Sequence, residues 1–148
     1  MTEFAERYWG RLPACLRWEH AEALADRLAE SGATWYAVSP EEGAAARPWE
    51  LDAAGAAALL RERLTEMRRL KNSPYCNLVF VDDPEDPALL KAFHPRRAGD
   101  ACRVGGDPIP PWLVISRLPI DLAVLSPGGP ETGSDSGTWW KRALRIGS

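Results

Sequence analysis

The pattern that most constrains the fold is a long amphipathic segment between Asp52 and Leu70. Its apolar side chains recur every three or four residues, at Ala56, Leu60, Leu64 and Met67, with Leu59 beside them. The charged side chains of the same segment fall on the opposite side of a helical projection. This spacing predicts an α-helix that buries one face and begins with Asp52 as its N-cap. The Asn-Ser-Pro sequence at 72–74 ends it.

A second amphipathic segment, residues 14–31, predicts another helix. One i, i+4 row contains Leu16, His20, Leu24 and Leu28, and Gly32 follows as a stop signal. Pro13 stands where the first turn of a helix tolerates proline. Because His20 lies in the leucine row, we expect it to be a buried core histidine whose polar atoms are satisfied.

Three segments have the composition of β-strands, residues 33–39, 76–82 and 112–117. The nearly continuous apolar run at 76–82 predicts a strand that is covered on both faces. Residues 88–94 allow two interpretations, a short helix capped by Asp86 or the partner strand of a hairpin. Pro95 favours the hairpin, because a proline pushes the residue before it toward extended geometry.

These elements predict the α+β class. We expect a single small domain, residues 1–125, in which two helices pack on a mixed or antiparallel sheet of three to five strands. Residues 126–138, SPGGPETGSDSGT, are rich in Gly, Ser and Pro, which predicts a flexible linker. Residues 139–148 then form a separate cationic tail.

Composition argues against several classes of protein. The formal net charge is −3 and the pI is about 5.4, so nucleic acid is not expected as the main partner. The three cysteines, Cys15, Cys76 and Cys102, form no CxxC pair, which favours a reducing, cytoplasmic compartment over a disulfide framework. The longest apolar stretch, at 53–60, is too short to cross a bilayer, and the N-terminal residues lack a signal-peptide core.

The segment 91–107, KAFHPRRAGDACRVGGD, concentrates polar side chains among glycines. The candidate anion-binding residues in it are His94, Arg96, Arg97 and Arg103. Guanidinium groups pair with phosphate or carboxylate, and the glycines let backbone amides approach a ligand. Two interleaved aspartates and the absence of a helix start after the glycines support the alternative, a turn-rich connection at a sheet edge.

Two other groups of residues contain metal-ligand types. Cys76, His94 and Cys102 offer thiolates and an imidazole, but their spacing matches no standard zinc pattern. The acidic run at 82–87 is either a hard-cation site or a plain acidic turn, and the turn is favoured. We find no Ser-His-Asp or Cys-His set, so the sequence predicts no catalytic residues and no cofactor, and it leans against an enzyme.

The tail sequence TWWKRALRI, 138–146, is amphipathic when drawn as a helix. Its apolar residues fill an arc of about 160 degrees, and its basic residues occupy the rest. The predicted partner-binding residues are Trp139, Trp140, Lys141, Arg142, Leu144 and Arg145. The tail is expected to dock on a partner protein or a membrane surface, or to fold back on its own domain.

The leading functional hypothesis is therefore a small accessory or adaptor protein that binds another protein through its tail and exposed tryptophans. Seven tryptophans support it, since aromatic residues at element edges are enriched at interfaces. A second copy of the chain is one expected partner. The alternative hypothesis is binding or turnover of an anionic small molecule at 91–107, and a weaker one is metal binding by Cys76, His94 and Cys102.

Overall fold

The computed structural model describes residues 2–98 and 110–125, in which one antiparallel sheet has helices on both faces. The helices are α1 (Glu3–Tyr8), α2 (Trp18–Glu30), α3 (Ala53–Leu70) and α4 (Pro95–Ala98). The strands are β1 (Trp35–Val38), β2 (Trp49–Leu51), β3 (Val79–Val81), β4 (Leu89–Ala92) and β5 (Leu113–Ser116). Two 3-10 helices span Pro40–Ala45 and Leu122–Leu125. The predicted α+β class is confirmed.

The five strands lie in the order β2-β1-β5-β4-β3, and every neighbouring pair is antiparallel. The last of the described strands, β5, therefore occupies the centre of the sheet. Ile115 of β5 lies opposite Ala37 on one side and Leu90 on the other. The hairpin interpretation of residues 88–94 is confirmed, because β4 pairs with β3.

The two long helices cover one face of the sheet, as the sequence predicts. Asp52 caps α3, since its carboxylate accepts a hydrogen bond from the amide of Gly55 at 2.7 Å. The stripe predicted for α3 is buried against α2 and the sheet. The sheet residues that face these helices are Trp35, Ala37, Val79, Val81, Leu90, Ala92, Leu113 and Ile115. Alternate residues of each strand meet the helices, as pleated geometry requires.

A second, smaller core lies on the opposite face of the sheet. Helix α1, Ala46 after the first 3-10 helix and Val124 of the second one supply it, and its buried sheet residues are Val38, Leu89 and Val114. Trp9 ties the two ends of this layer together, because its indole Nε1 donates to the carbonyl of Val124 at 2.9 Å. Both faces of β5 are thereby closed to water, and all four of its residues are buried.

The predicted start of the first long helix is wrong. Residues 13–16 are extended and hydrogen-bond along the outer side of the β3 segment, where the amide of Cys15 donates to the carbonyl of Val79 at 2.7 Å. Helix α2 begins only at Trp18. As a result Leu16 is 57% exposed and His20 is also exposed, so the expected core histidine is not in the core. The buried stripe of α2 is Trp18, Ala21, Leu24, Ala25 and Leu28.

Three short elements are absent from the sequence-based prediction. Helix α1 has six residues and α4 has four, too few for a periodic pattern to stand out. Strand β2 has three residues, none of them buried, because it lies at the edge of the sheet. Its exposed position removes the alternation by which a half-covered strand is recognised.

Replacing Trp35 by alanine should lower the free energy of unfolding by about 3–5 kcal/mol, because a large aromatic side chain would be removed from the core. Trp35 is fully buried, and its Nε1 donates to Ser31 Oγ at 3.0 Å. Urea denaturation followed by circular dichroism measures this change. Trp49, which is 40% exposed on β2, is the matched control, and its replacement by alanine should cost less than about 1 kcal/mol. Equal losses for the two variants would contradict the described core.

Candidate functional site

The strongest candidate site lies where β4 ends and β5 begins. These strands are neighbours, and the amide of Trp112 donates to the carbonyl of Ala92 at 2.8 Å. His94, two residues after β4, is thereby brought beside Trp112, one residue before β5. The two rings meet edge to face, with 4.8 Å between their centroids. The antiparallel register thus builds an aromatic corner from residues 18 positions apart in sequence.

Helix α3 adds a guanidinium group to this corner. The central carbon of the Arg63 guanidinium lies 4.8 Å from the centroid of the Trp112 ring, within the range of a cation–π interaction. The Nε of Arg63 is buried, and among residues 2–98 and 110–125 it has no hydrogen-bond partner. Buried polar donors are nearly always paired, so an unpaired one is an unusual feature of this corner.

Glu66, one turn further along α3, is neutralised by its own neighbour. Arg69 donates to both of its carboxylate oxygens, at 3.2 and 2.6 Å. That hydrogen bonding lowers the pKa of Glu66, and the charges of Arg69, His94 and Arg96 lower it further. The carboxylate thus faces the same group of cations, and Arg69 already occupies both of its oxygens.

The structure brings together part of the predicted anion-binding set. His94 Nδ1 accepts a hydrogen bond from the amide of Arg96 at 3.2 Å, which fixes the start of α4 against the His94 ring. The Arg96 side chain is exposed beside α3. Arg97 belongs to α4, but its side chain lies outside the described residues, and so does Arg103. These two assignments stay predictions.

Most arginines elsewhere already have carboxylate partners. Helices α2 and α3 are joined by Arg61–Asp26 at 2.6 Å and Arg68–Glu22 at 2.7 Å. A cavity of about 520 Å³ between these helices is lined by the same two ion pairs. Within the described ranges Arg63 has no such ion pair. In this it differs from Arg61 and Arg68 of the same helix.

The acidic run at 82–87 has structural roles. Asp82 is the key residue, because one of its oxygens accepts from the amides of Asp83, Ala88 and Leu89, at 2.8 to 3.2 Å, and the other pairs with Arg7. Two further acids of this run pair with arginines, Glu85 with Arg27 and Asp86 with Arg117. This arrangement is that of a hydrogen-bonded acidic turn.

Two of the three predicted metal ligands lie in different surroundings. Cys76 is fully buried in the main core, His94 packs on Trp112, and Cys102 lies outside the described residues. In the part of the chain that the structure describes, no group of three or more His, Cys, Asp or Glu side chains is placed to hold a metal ion. The three-residue set therefore remains a prediction that depends on Cys102.

The predicted partner-binding residues of the tail, Trp139, Trp140, Lys141, Arg142, Leu144 and Arg145, also lie outside the described residues. Sequence reasoning did not select Arg63, Glu66 or Trp112 for the site. In the sequence Arg63 is one of many charged residues on the outer face of a helix, and only the contact of α3 with Trp112 places it at this corner. The one sequence signal for this site was Trp112, a tryptophan that stands between prolines and the apolar residues of a strand.

Comparisons with known proteins do not assign the chain to a family. No protein-family model, no curated protein and no solved structure matches it. Among the described residues, no helix combines the length and the apolar composition that crossing a membrane requires.

The buried thiols should react slowly in the folded protein. Burial raises the pKa of Cys15 to about 11, and burial also raises the pKa of Cys76. At pH 8 the thiolate fraction of Cys15 is then lower by about a hundredfold than in an unfolded chain. Alkylation by iodoacetamide, followed residue by residue by mass spectrometry with and without urea, should show that difference. A Cys15 that is alkylated equally fast in both conditions would contradict the described packing.

Proposed function

We propose that the protein binds an anionic small molecule, carrying a carboxylate or phosphate group, at the corner formed by Arg63, His94, Arg96 and Trp112. The observation that carries this proposal is the Arg63 guanidinium beside the Trp112 ring, whose buried Nε has no hydrogen-bond partner in the described part of the chain. A guanidinium presents its Nε–H and one Nη–H as parallel donors, which match the two oxygens of a carboxylate or phosphate.

The aromatic corner supports binding because it restricts the arginine. Contact with the flat indole of Trp112 limits the orientations of the guanidinium plane, so less side-chain entropy is lost when a ligand is bound. His94 in turn packs on Trp112 edge to face. An anion at this corner meets donors whose orientation is set before it arrives.

The charge balance also favours an anion. Glu66 is an α3 carboxylate on which the charges of His94 and Arg96 act, and Arg69 holds both of its oxygens. Arg63 and Arg96 have no carboxylate partner within the described part of the chain. Because the protein as a whole has a net charge of −3, this local excess of positive charge distinguishes the corner from the average surface.

Titration with inorganic phosphate, and separately with succinate, tests the proposal. In 15N-labelled protein at constant ionic strength, the indole N–H signal of Trp112 should shift and saturate, while sodium chloride gives no saturable shift. Arg63→Met should weaken binding about tenfold or more, because a charge-assisted bidentate contact contributes about 1.5–3 kcal/mol. Trp112→Phe identifies the Trp112 signal.

The matched control is Arg61→Met. Arg61 lies on the same helix but pairs with Asp26, so its loss should leave the affinity unchanged within about twofold. If neither anion causes a saturable shift in the folded wild-type protein, the anion-binding proposal is wrong. Equal weakening by Arg61→Met and Arg63→Met would assign the effect to net charge and would also remove the site.

One structural observation supports a second candidate function, that of an adaptor which binds another protein. Several large apolar side chains are exposed: Leu16 at 57%, Tyr75 at 50% and Trp49 at 40%. Arg17, the residue after Leu16, forms an isolated antiparallel β-bridge with Tyr75. The exposed Leu16 and Tyr75 therefore lie on adjacent backbone segments. Exposed aromatic and aliphatic side chains are frequent anchors at protein interfaces.

Deleting residues 126–148 tests the adaptor proposal. We expect the deletion to abolish capture of a protein partner, or self-association seen by native mass spectrometry, while the urea midpoint changes little. Substituting Trp139 and Trp140 by alanine in the full chain should reproduce that loss. Unchanged association in both variants would reject the tail as the binding segment.

A further inference from the structure

A cavity of about 300 Å³ lies between helix α2, the extended residues 13–15 and the turn that follows β3. Hydrogen bonds fix the extended segment along β3. The amide of Cys15 donates to the carbonyl of Val79 at 2.7 Å, and the amide of Val81 donates to the carbonyl of Pro13 at 3.0 Å. A volume of this size is at the lower end of the range that small-molecule sites occupy.

The turn after β3, which forms another wall of this cavity, is held by two sets of contacts. One carboxylate oxygen of Asp82 accepts hydrogen bonds from three backbone amides, those of residues 83, 88 and 89. Arg27 of α2 also reaches the turn and pairs with Glu85 at 2.9 Å. The walls are therefore in place before a ligand arrives, as they are in most small-molecule sites.

Most of the cavity wall is apolar. Five of the side chains that form it are Pro13, Ala14, Leu24, Val81 and Pro84. Water against such a wall has few hydrogen-bond partners, so a ligand that displaces it with apolar atoms gains affinity. The wall thus favours a ligand that is itself mainly apolar.

The charges on the wall compensate one another. Apart from the imidazole of His20, Arg27 and Glu85 are the ionisable side chains among the described residues that carry a charge there, and they pair with each other. Cys15 also lines the cavity, and burial raises the pKa of its thiol to about 11, so the thiol is neutral at pH 8. A charged ligand would have to break the ion pair to find a countercharge.

His20 supplies a polar group with a defined role. Its Nδ1 accepts a hydrogen bond from the amide of Arg17 at 3.4 Å, so the neutral imidazole carries its proton on Nε2. Because His20 lines the cavity, this N–H is the donor that it can offer to a ligand. Apolar walls with a few polar groups that orient the ligand are typical of small-molecule sites.

We propose that this cavity binds a small neutral molecule that is mainly apolar and carries one hydroxyl or carbonyl oxygen, such as a phenol. Its ring packs between α2 and β3, and its oxygen accepts a hydrogen bond from Nε2 of His20. The larger cavity between α2 and α3 is unsuited to such a molecule, because two ion pairs line it. The proposal is independent of the anion-binding corner, which shares no described residue with this cavity.

Titration of the full chain with p-cresol at pH 8 tests the proposal. The chain has two histidines, so the ring signals of 13C-labelled protein report on the cavity through His20 and on the anion corner through His94. His94→Gln identifies which signal is which. We expect p-cresol to shift the His20 signal saturably, with a Kd of about 1 mM or below, and to leave His94 unchanged. p-Toluate, which carries a carboxylate on the same ring, should bind at His20 about tenfold more weakly or not at all.

Ala23→Phe tests whether the cavity is the place of binding. Ala23 lines the cavity but is exposed on α2, so a larger side chain there should fill the space without disturbing the core. We expect this variant to bind p-cresol about tenfold more weakly or less. Ala29→Phe is the matched control, because Ala29 is exposed on the same helix and outside the cavity, and its affinity should stay within about twofold of wild type.

Four results would overturn the proposal. The first is the absence of a saturable His20 shift when p-cresol is added to the folded wild-type chain. The second is equal affinity of p-cresol and p-toluate at His20, and the third is equal weakening by Ala23→Phe and Ala29→Phe. The fourth is a His20 shift that occurs only after Trp139 and Trp140 are replaced by alanine, which would make the tail of the chain the occupant of the cavity.

Discussion

The structure depends on keeping water away from both faces of the central strand β5. Leu113 and Ile115 pack under the long helices, and Val114 packs under α1 and the last 3-10 helix. Ser116 is fully buried, and its hydroxyl both donates to the carbonyl of Leu118 and accepts from its amide. The aromatic corner follows from this arrangement, since it is built on the junction of β5 with β4.

Arginine–carboxylate pairs determine where charge remains available. Exposed pairs such as Arg61–Asp26 and Arg68–Glu22 contribute at most about 1 kcal/mol each, so they are of small importance for stability. Their larger effect is to neutralise the surface around α2 and α3. Arg63 lacks such a partner among residues 2–98 and 110–125, and its guanidinium rests on an indole. It then stands out electrostatically against a protein of negative net charge.

The fold was predictable from sequence where a long periodic pattern meets a capping signal, and less so elsewhere. Helix α3 was predicted to its N-cap because 18 residues repeat one apolar stripe. The start of α2 was not predicted correctly, because the backbone of residues 13–16 pairs with β3. That long-range pairing overrides a helical pattern. For the site, His94 and Arg96 were identified by residue type. Trp112 joins them through the register of β4 and β5, and Arg63 through the contact of α3 with Trp112. No local pattern in the sequence contains either relation.

The central position of β5 has a consequence for the order in which the chain can assemble. The pairs β1–β2 and β3–β4 are local hairpin-like units, but they share no edge until β5 enters between them. During synthesis, β1 and β4 therefore each keep one open backbone edge until residues 113–116 have left the ribosome. Open strand edges recruit strands from other chains. The nascent protein is thus most exposed to mispairing just before β5 arrives, and a product that ends before residue 113 keeps both edges open.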